Sequence, residues 1–452
     1  MRMASSEESQ TKKSGTRILP LHHSDKLANT VDESSQRRFF KTGRNIKWRR
    51  RRGKRGDTSS SSSPTDDKND MEKIISSYEG FPLVQSMLAS EEIRKTALSK
   101  EGSKQIQYPK SNSGWFRSLF VLEGRALDRI LLPWLLVTLN AVAWAVAYDK
   151  LDFRDQDVSQ SYDPTMIRRN YIEGVLELVL TSTMAFLLVF RLNRSATRFW
   201  MARGSWGIMV VKCRAIVSSV LLHGSHDPSH RDQAIRWVAA FAIASMNLTR
   251  NQETDPNTVE GILDHDEVEA MNAATHSPLY AADQIRYHLG KLFSPTEFCA
   301  TYSSEGDDFK HSQDAAFSIA LSDFRAKQLI FLEEQLNVMI DEEGALERIK
   351  NTPLPLVYVT HLRTWLMLFL LTLPYFWEAT LGYAIIPVEC LSAFALLGLE
   401  GAASEVEAPF RKERTNHLDM NSYCLAILSN ILQQAKQDAQ RRQLDSDDAQ
   451  KR

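Results

Sequence analysis

A chain of 452 residues, 43% of them hydrophobic and 25% charged, is long enough to bury a large core and to divide into two or three domains. Its 55 basic and 56 acidic residues nearly cancel, but the layout is uneven: about the first sixty residues are strongly basic and about the last fifteen are polar and lean acidic. Cys213, Cys299, Cys390 and Cys424 stand far apart, which excludes a disulfide framework or a zinc knuckle and leaves reduced structural thiols as the reading.

Residues 1–113 are rich in Ser, Lys, Arg and Asp and predict a disordered basic N-terminal tail, with one weak helical pattern from Met71 to Leu98. Within it, eleven of the nineteen residues from Arg37 to Arg55 are Lys or Arg, with Phe39, Phe40 and Trp48 interleaved. A solvated tail that sets membrane topology is the first reading of that stretch and contact with anionic lipid headgroups the second. Nucleic acid is not expected as a partner. Abundant Ser and Arg leave a cleaved transit peptide open, although Glu7, Glu8, Asp25, Asp32 and Glu33 are more acidic groups than such peptides usually carry.

From Ile130 to Tyr148 the chain reads ILLPWLLVTLNAVAWAVAY without a charge, and nineteen helical residues span ~28 Å, the thickness of a bilayer core. Further apolar runs predict transmembrane helices at about 175–190, 357–377 and 381–399, the last interrupted by Glu389. Basic residues flank the first and second spans on one side and Arg411, Lys412 and Arg414 follow the fourth, which places both termini on the cytoplasmic or stromal side. Between the second and third spans, about 205–353, amphipathic patterns such as Leu329, Leu332, Leu336 and Ile340 predict a soluble helical bundle continuous with the membrane helices. Residues 436–452 form a polar C-terminal tail. The fold class is therefore an all-α membrane protein.

Three strings in chain order carry a resemblance to a known family: FRLNRSATRFWMARGSWG (Phe190–Gly207), ALERIKNTPLPLVYVTHLR (Ala345–Arg363) and AIIPVECLSAFALLGLEGAASEVEAPF (Ala384–Phe410). Together they resemble bestrophins and their plant and bacterial relatives, over about Trp115 to Leu432. The resemblance implies a bestrophin-like pentameric channel occupying 114–435, a homopentamer that conducts chloride, and bicarbonate as a second candidate cargo, through an axial pore. It places the pore neck on the second span, eight and twelve residues before Arg198, at Phe190 and Phe186, and one turn earlier at Ser182.

The residues agree with that placement, since Ser182, Phe186 and Phe190 recur every fourth position and share one helix face. Aromatic edges carry partial positive charge, so such rings favour anions over cations. Ser182 departs from the family's usual apolar neck residue, and Met201 stands where relatives commonly carry Glu. Arg191, Arg194, Arg198 and Arg203 read first as structural or topological groups, with attraction of anions to the inner mouth by Arg191, Arg194 and Arg198 as the alternative.

Where animal bestrophins carry a calcium-binding acidic cluster, this chain has Ala408, Pro409 and Phe410 followed by Arg411 and Lys412, which predicts no calcium site there, although Glu405, Glu407 and Asp419 are nearby. His223, His226, His230 and His265 fall in polar, loop-like sequence and are expected to be solvated, so no metal or other cofactor is predicted. No nucleophile elbow, phosphate-binding loop or zinc-protease motif occurs, and the chain is not expected to be an enzyme. The alternative function is a non-conducting membrane scaffold or adaptor. Membrane lipids and copies of the same chain are the expected partners, in the thylakoid membrane if the organism is photosynthetic and otherwise in the plasma or an internal membrane.

Overall fold

The computed structural model describes residues 74–101, 127–150, 164–293, 312–412, 414 and 416–450. The basic stretch Arg37–Arg55 and Cys299 lie outside the described residues. Helices follow one another in the order α1 (Pro82–Ala89), α2 (Glu91–Glu101), α3 (Leu127–Lys150), α4 (Pro164–His223), α5 (Pro228–Arg250), α6 (His265–Ala273), α7 (Ser277–Phe293), α8 (Ser312–Asn351), α9 (Leu356–Leu381), α10 (Ile385–Val406) and α11 (Met420–Gln450). No strand occurs among the described residues.

Local signals place the boundaries. Pro228 opens α5 at a position whose N–H would be unpaired anyway, and the Asp227 carboxylate accepts from the Ser229 and His230 amides at 3.1 and 3.2 Å. Asn251, with φ 56°, closes the same helix in the left-handed conformation that asparagine tolerates. Pro353 and Pro355 separate α8 from α9. Gly261 has φ +70°, and a Cβ there would lie 2.5 Å from the Ser86 carbonyl, so only glycine lets this loop approach α1.

Four helices are long and apolar enough to cross a bilayer: α3, part of α4 (Glu173–His223), α9 over Leu356–Glu378, and α10 with the short turn before it (Gly382–Val406). Only 17–22% of the residues in their most apolar stretches are buried, so most of that surface needs lipid or another subunit to cover it. What is buried forms a membrane core from Ile130 and Val137 of α3, Leu180, Met184 and Leu188 of α4, Leu362, Leu366 and Leu370 of α9, and Ala393 and Leu397 of α10. Glu389 is fully enclosed, so the fourth apolar run packs as a helix in spite of its charge-bearing residue.

A second core lies in the polar half, where Trp206, Met209 and Val217 of α4 meet Phe241 and Met246 of α5, Ile285 of α7, Leu332 and Leu336 of α8, and Cys424 and Ile431 of α11. The two cores share α4. Sixty residues at 1.5 Å each make this helix about 90 Å long, enough to cross a bilayer and continue through a soluble bundle. The helix therefore does not stop where its apolar run ends at Phe190, and the soluble region expected from about 205 begins within an unbroken helix.

Both ends of the chain add helices to the soluble core. The weak helical pattern from Met71 to Leu98 folds as α1, which buries Leu83, Val84, Met87 and Leu88, and α2, which buries Leu98, while the rest of the expected tail, 1–73 and 102–113, lies outside the described residues. The i, i+3, i+4 stripe in that short stretch is submerged in a composition dominated by Ser, Lys and Asp. The C-terminal segment 436–452 remains polar, but α11 runs through it to Gln450, with Ala439 buried and Arg442 donating to the Leu221 carbonyl at 3.0 Å.

Candidate functional site: an exposed aromatic face on the long helix

Along α4 the side chains sort into two stripes. Leu180, Met184, Leu188, Arg191, Ser195, Ala202, Trp206, Met209 and Cys213 are buried, at helical spacings of three, four or seven residues. On the other face Ser182 is exposed, Phe186 is 70% exposed and Phe190 37% exposed. The structure thus brings Ser182, Phe186 and Phe190 together on one largely exposed face. The two phenyl rings stack with centroids 6.3 Å apart and planes 16° apart. Phe190 also meets the edge of Tyr358 from α9 at 5.8 Å, which limits its rotation more than that of Phe186.

The three arginines that follow have separate fates. Arg191 is 1% exposed: its Nε donates to Glu400 of α10 at 3.1 Å, and a terminal nitrogen pairs with Glu407 at 2.9 Å. Arg198 donates to two backbone carbonyls, Glu407 at 3.0 Å and Ile349 at 2.5 Å, and so joins α4 to the end of α8. Arg194 is exposed, with its guanidinium carbon 5.1 Å from the Phe190 ring centroid. One turn of helix therefore presents a cation beside an aromatic ring on the open face while the neighbouring arginines tie the helices together.

The acidic partners form a connected ladder. Glu400 also receives Arg363 of α9 at 3.0 Å, and the second oxygen of Glu407 accepts the Leu354 amide at 2.8 Å. Glu405 pairs with Arg129 of α3 at 3.1 Å and lies 3.6 Å from His417. Glu405 and Glu407 are thus already engaged by cations and N–H donors, and Asp419 caps α11 by accepting from the Ser422 amide at 3.3 Å. A hard cation would have to displace these partners to gather ligands here. Met201 is exposed on α4.

The histidines read as solvated do not converge either. His223 ends α4, His226 faces the Leu292 carbonyl at 2.8 Å, His230 lies 3.0 Å from His288, and His265 begins α6. Sequence reasoning missed His276, Glu343 and Glu347, which lie close together where α7 begins beside α8. The spacing of Glu343 and Glu347 at i and i+4 is visible in the sequence, but only the fold brings His276 to them.

Two half- to fully buried histidines set a pH dependence. Burial, with His230 beside it, lowers His288 to about 4, and burial lowers His417 to about 4, with Arg411, Arg414 and Arg129 adding to the effect and the Glu405 carbonyl opposing it. A histidine depressed in the folded state is neutral in both states above its ordinary value near 6.5. Below that the unfolded chain binds the proton first, so stability falls as pH drops from about 6.5 to about 4. Glu343, raised to about 7 by burial, acts in the opposite direction, favouring the fold as pH falls through that value. Thermal unfolding of wild type and His288→Gln between pH 4 and 7.5 separates these effects. The variant is expected to lose less stability on acidification, and an identical pH profile would rule out His288 as a contributor.

The family model described as Bacterial/Fungal Bestrophin protein matches residues 105–433, which take in all four spans and the helices α5 to α8, but not α1, α2 or the end of α11. The chain belongs to the bestrophin family. This bestrophin is 24% identical over 321 residues to a voltage-dependent anion channel-forming protein of Nostoc, a match covering 70% of this chain and 90% of that one. It is also 24% identical over 253 residues to voltage-dependent chloride channel 2, chloroplastic, of Arabidopsis thaliana, a match covering 55% of this chain and 52% of that one.

Among solved structures, a bacterial bestrophin homolog from Klebsiella pneumoniae superposes with a TM-score of 0.51 at 20% identity, covering 68% of this chain and 99% of that one. The shared architecture is the helical membrane fold. The protein is an integral membrane bestrophin with four membrane helices per subunit.

Proposed function

We propose that this bestrophin forms an anion channel, a homopentamer in which copies of α4 surround an axial pore and Ser182, Phe186 and Phe190 form stacked rings of its neck. The observation that carries the reading is the uncovered face of α4, on which Phe186 and Phe190 stack and Arg194 stands beside Phe190. Large aromatic side chains left open on a helix need a partner, and symmetric closure around an axis covers them with copies of themselves. The names of the relatives in Nostoc and Arabidopsis, an anion channel-forming protein and a chloride channel, support the cargo class.

Chloride is the primary cargo and bicarbonate a second small anion of the same charge. Ring edges turned toward the axis offer partial positive charge to an ion that has shed water, and Arg194 raises the local anion concentration at one end of the neck. Arg191 and Arg198 serve as clamps between helices. Lipid covers the outward faces of α3, α9 and α10, and the chloroplastic relative supports a chloroplast location in a photosynthetic cell, with the thylakoid as the proposed membrane.

Reversal potentials of the purified protein in planar bilayers under a chloride gradient test this reading. A shift toward the chloride equilibrium potential is expected, with a smaller shift toward that of bicarbonate when the anion is exchanged. Silent bilayers from correctly assembled protein would favour the non-conducting scaffold, and a shift toward the cation potential would reverse the assignment.

A further inference from the structure

His276, Glu343 and Glu347 offer one nitrogen and two carboxylate oxygens within 4.8 Å of one another, away from the α4 neck. The His276 Nε2 lies 3.8 Å from Glu343 Oε2 and 3.5 Å from Glu347 Oε2. Donors held at ~2 Å by a tetrahedral zinc ion stand about 3.3 Å apart, so the histidine nitrogen is already near the spacing a zinc ion needs from each carboxylate. The glutamates share one face of α8, and the histidine comes from the residue just before α7.

Geometry of this kind also suits a plain ion pair between a protonated histidine and two carboxylates. Glu343 separates the two readings. It is 2% exposed, and its Oε1 has no hydrogen-bond partner. A buried carboxylate oxygen with nothing to accept from is costly, and a histidine 3.8 Å from the other oxygen does not satisfy it. A divalent cation would engage the carboxylate directly, and burial that holds Glu343 up to about 7 is the penalty such an ion would relieve. Lys350, whose ammonium donates to the Leu248 carbonyl at 2.5 Å, is the nearby cation that opposes binding, leaving two carboxylates against one ammonium.

The histidine has a defined orientation. The Leu279 amide donates to Nδ1 at 3.3 Å, which turns Nε2 toward both glutamates. Binding at Nε2 moves the ring proton to Nδ1 and gives up that long contact at the exposed start of α7. The fourth position is open to water through Glu347, whose side chain is 38% exposed.

We propose that His276, Glu343 and Glu347 form a divalent-cation site of zinc type that joins α7 to α8. The site lies on α8 shortly before Ile349, whose carbonyl Arg198 holds, so an ion there would fix the soluble bundle to the foot of the long helix.

Isothermal titration of the purified full-length protein with zinc chloride tests the site, comparing wild type with Glu347→Gln and His276→Gln. Wild type is expected to bind one more zinc per chain than either variant, or to bind the same number with at least about tenfold higher affinity at one of them. The comparison discounts zinc held by histidines elsewhere in the chain. Glu347 is partly exposed, so its variant is expected to keep the wild-type elution volume. Equal stoichiometry and affinity in all three proteins, or no zinc binding by wild type, would overturn the site and leave the cluster as an ion pair.

Discussion

Replacing Arg191 with alanine is expected to remove most of the folded, assembled protein. The guanidinium is enclosed between Glu400 and Glu407 at 3.1 and 2.9 Å, and Glu407 in turn holds the Leu354 amide at the start of α9. Deleting one member of a buried ion pair leaves the others charged and desolvated, which costs roughly 3–5 kcal/mol and is a large share of the stability of an ordinary domain. Arg191→Lys is expected to rescue little, because a single ammonium cannot span two carboxylates on one planar fork. By contrast Arg194→Ala, on the exposed face, is expected to assemble normally and to change only conduction. Size-exclusion profiles and melting temperatures of the three variants are the measurement. An Arg191→Ala protein as stable as Arg194→Ala would show that the ladder of charges on α10 does not hold α4 in place.

The contrast between these neighbouring arginines marks how far the sequence could be read. Membrane spans are a local property of composition, so the run from Ile130 to Tyr148 and its three companions were legible, as was the shared face of Ser182, Phe186 and Phe190, which needs only the helical period. Which arginine faces inward was not legible. Arg191, Arg194 and Arg198 look alike in sequence, and the partners that separate them, Glu400, Glu407 and Ile349, lie more than a hundred positions away. The same limit hid the His276 cluster, where the histidine comes from the residue just before a different helix. The apolar stripe of Leu83, Val84, Met87 and Leu88 read only as a weak helical pattern, because it is short and the charged sequence around it averages it away. Helix continuity past Phe190 was also obscured, because hydropathy changes at that residue while helix propensity does not.

Removing both rings of the proposed neck, Phe186→Ala with Phe190→Ala, is expected to raise single-channel conductance several-fold and to weaken the preference for anions. Both effects follow from the same side chains. Two stacked phenyl groups 6.3 Å apart give the open face of α4 an apolar lining along two turns, and an apolar constriction holds water poorly and so resists ion entry. Alanine widens the passage and lets water in. It also removes the ring edges whose partial positive charge compensates an anion for lost hydration, so cations are penalised less than before. Phe186 is expected to contribute more to conductance, since it is 70% exposed, whereas Phe190 is braced by Tyr358 and carries Arg194 over its face. Phe190→Ala alone is expected to act more on selectivity, by freeing the guanidinium from the ring. Arg191, on the opposite face, keeps its carboxylate partners in the double variant, so assembly is expected to match wild type and the current change reads the neck itself. Anion currents unchanged by the double substitution would leave a channel whose constriction lies elsewhere on the axis.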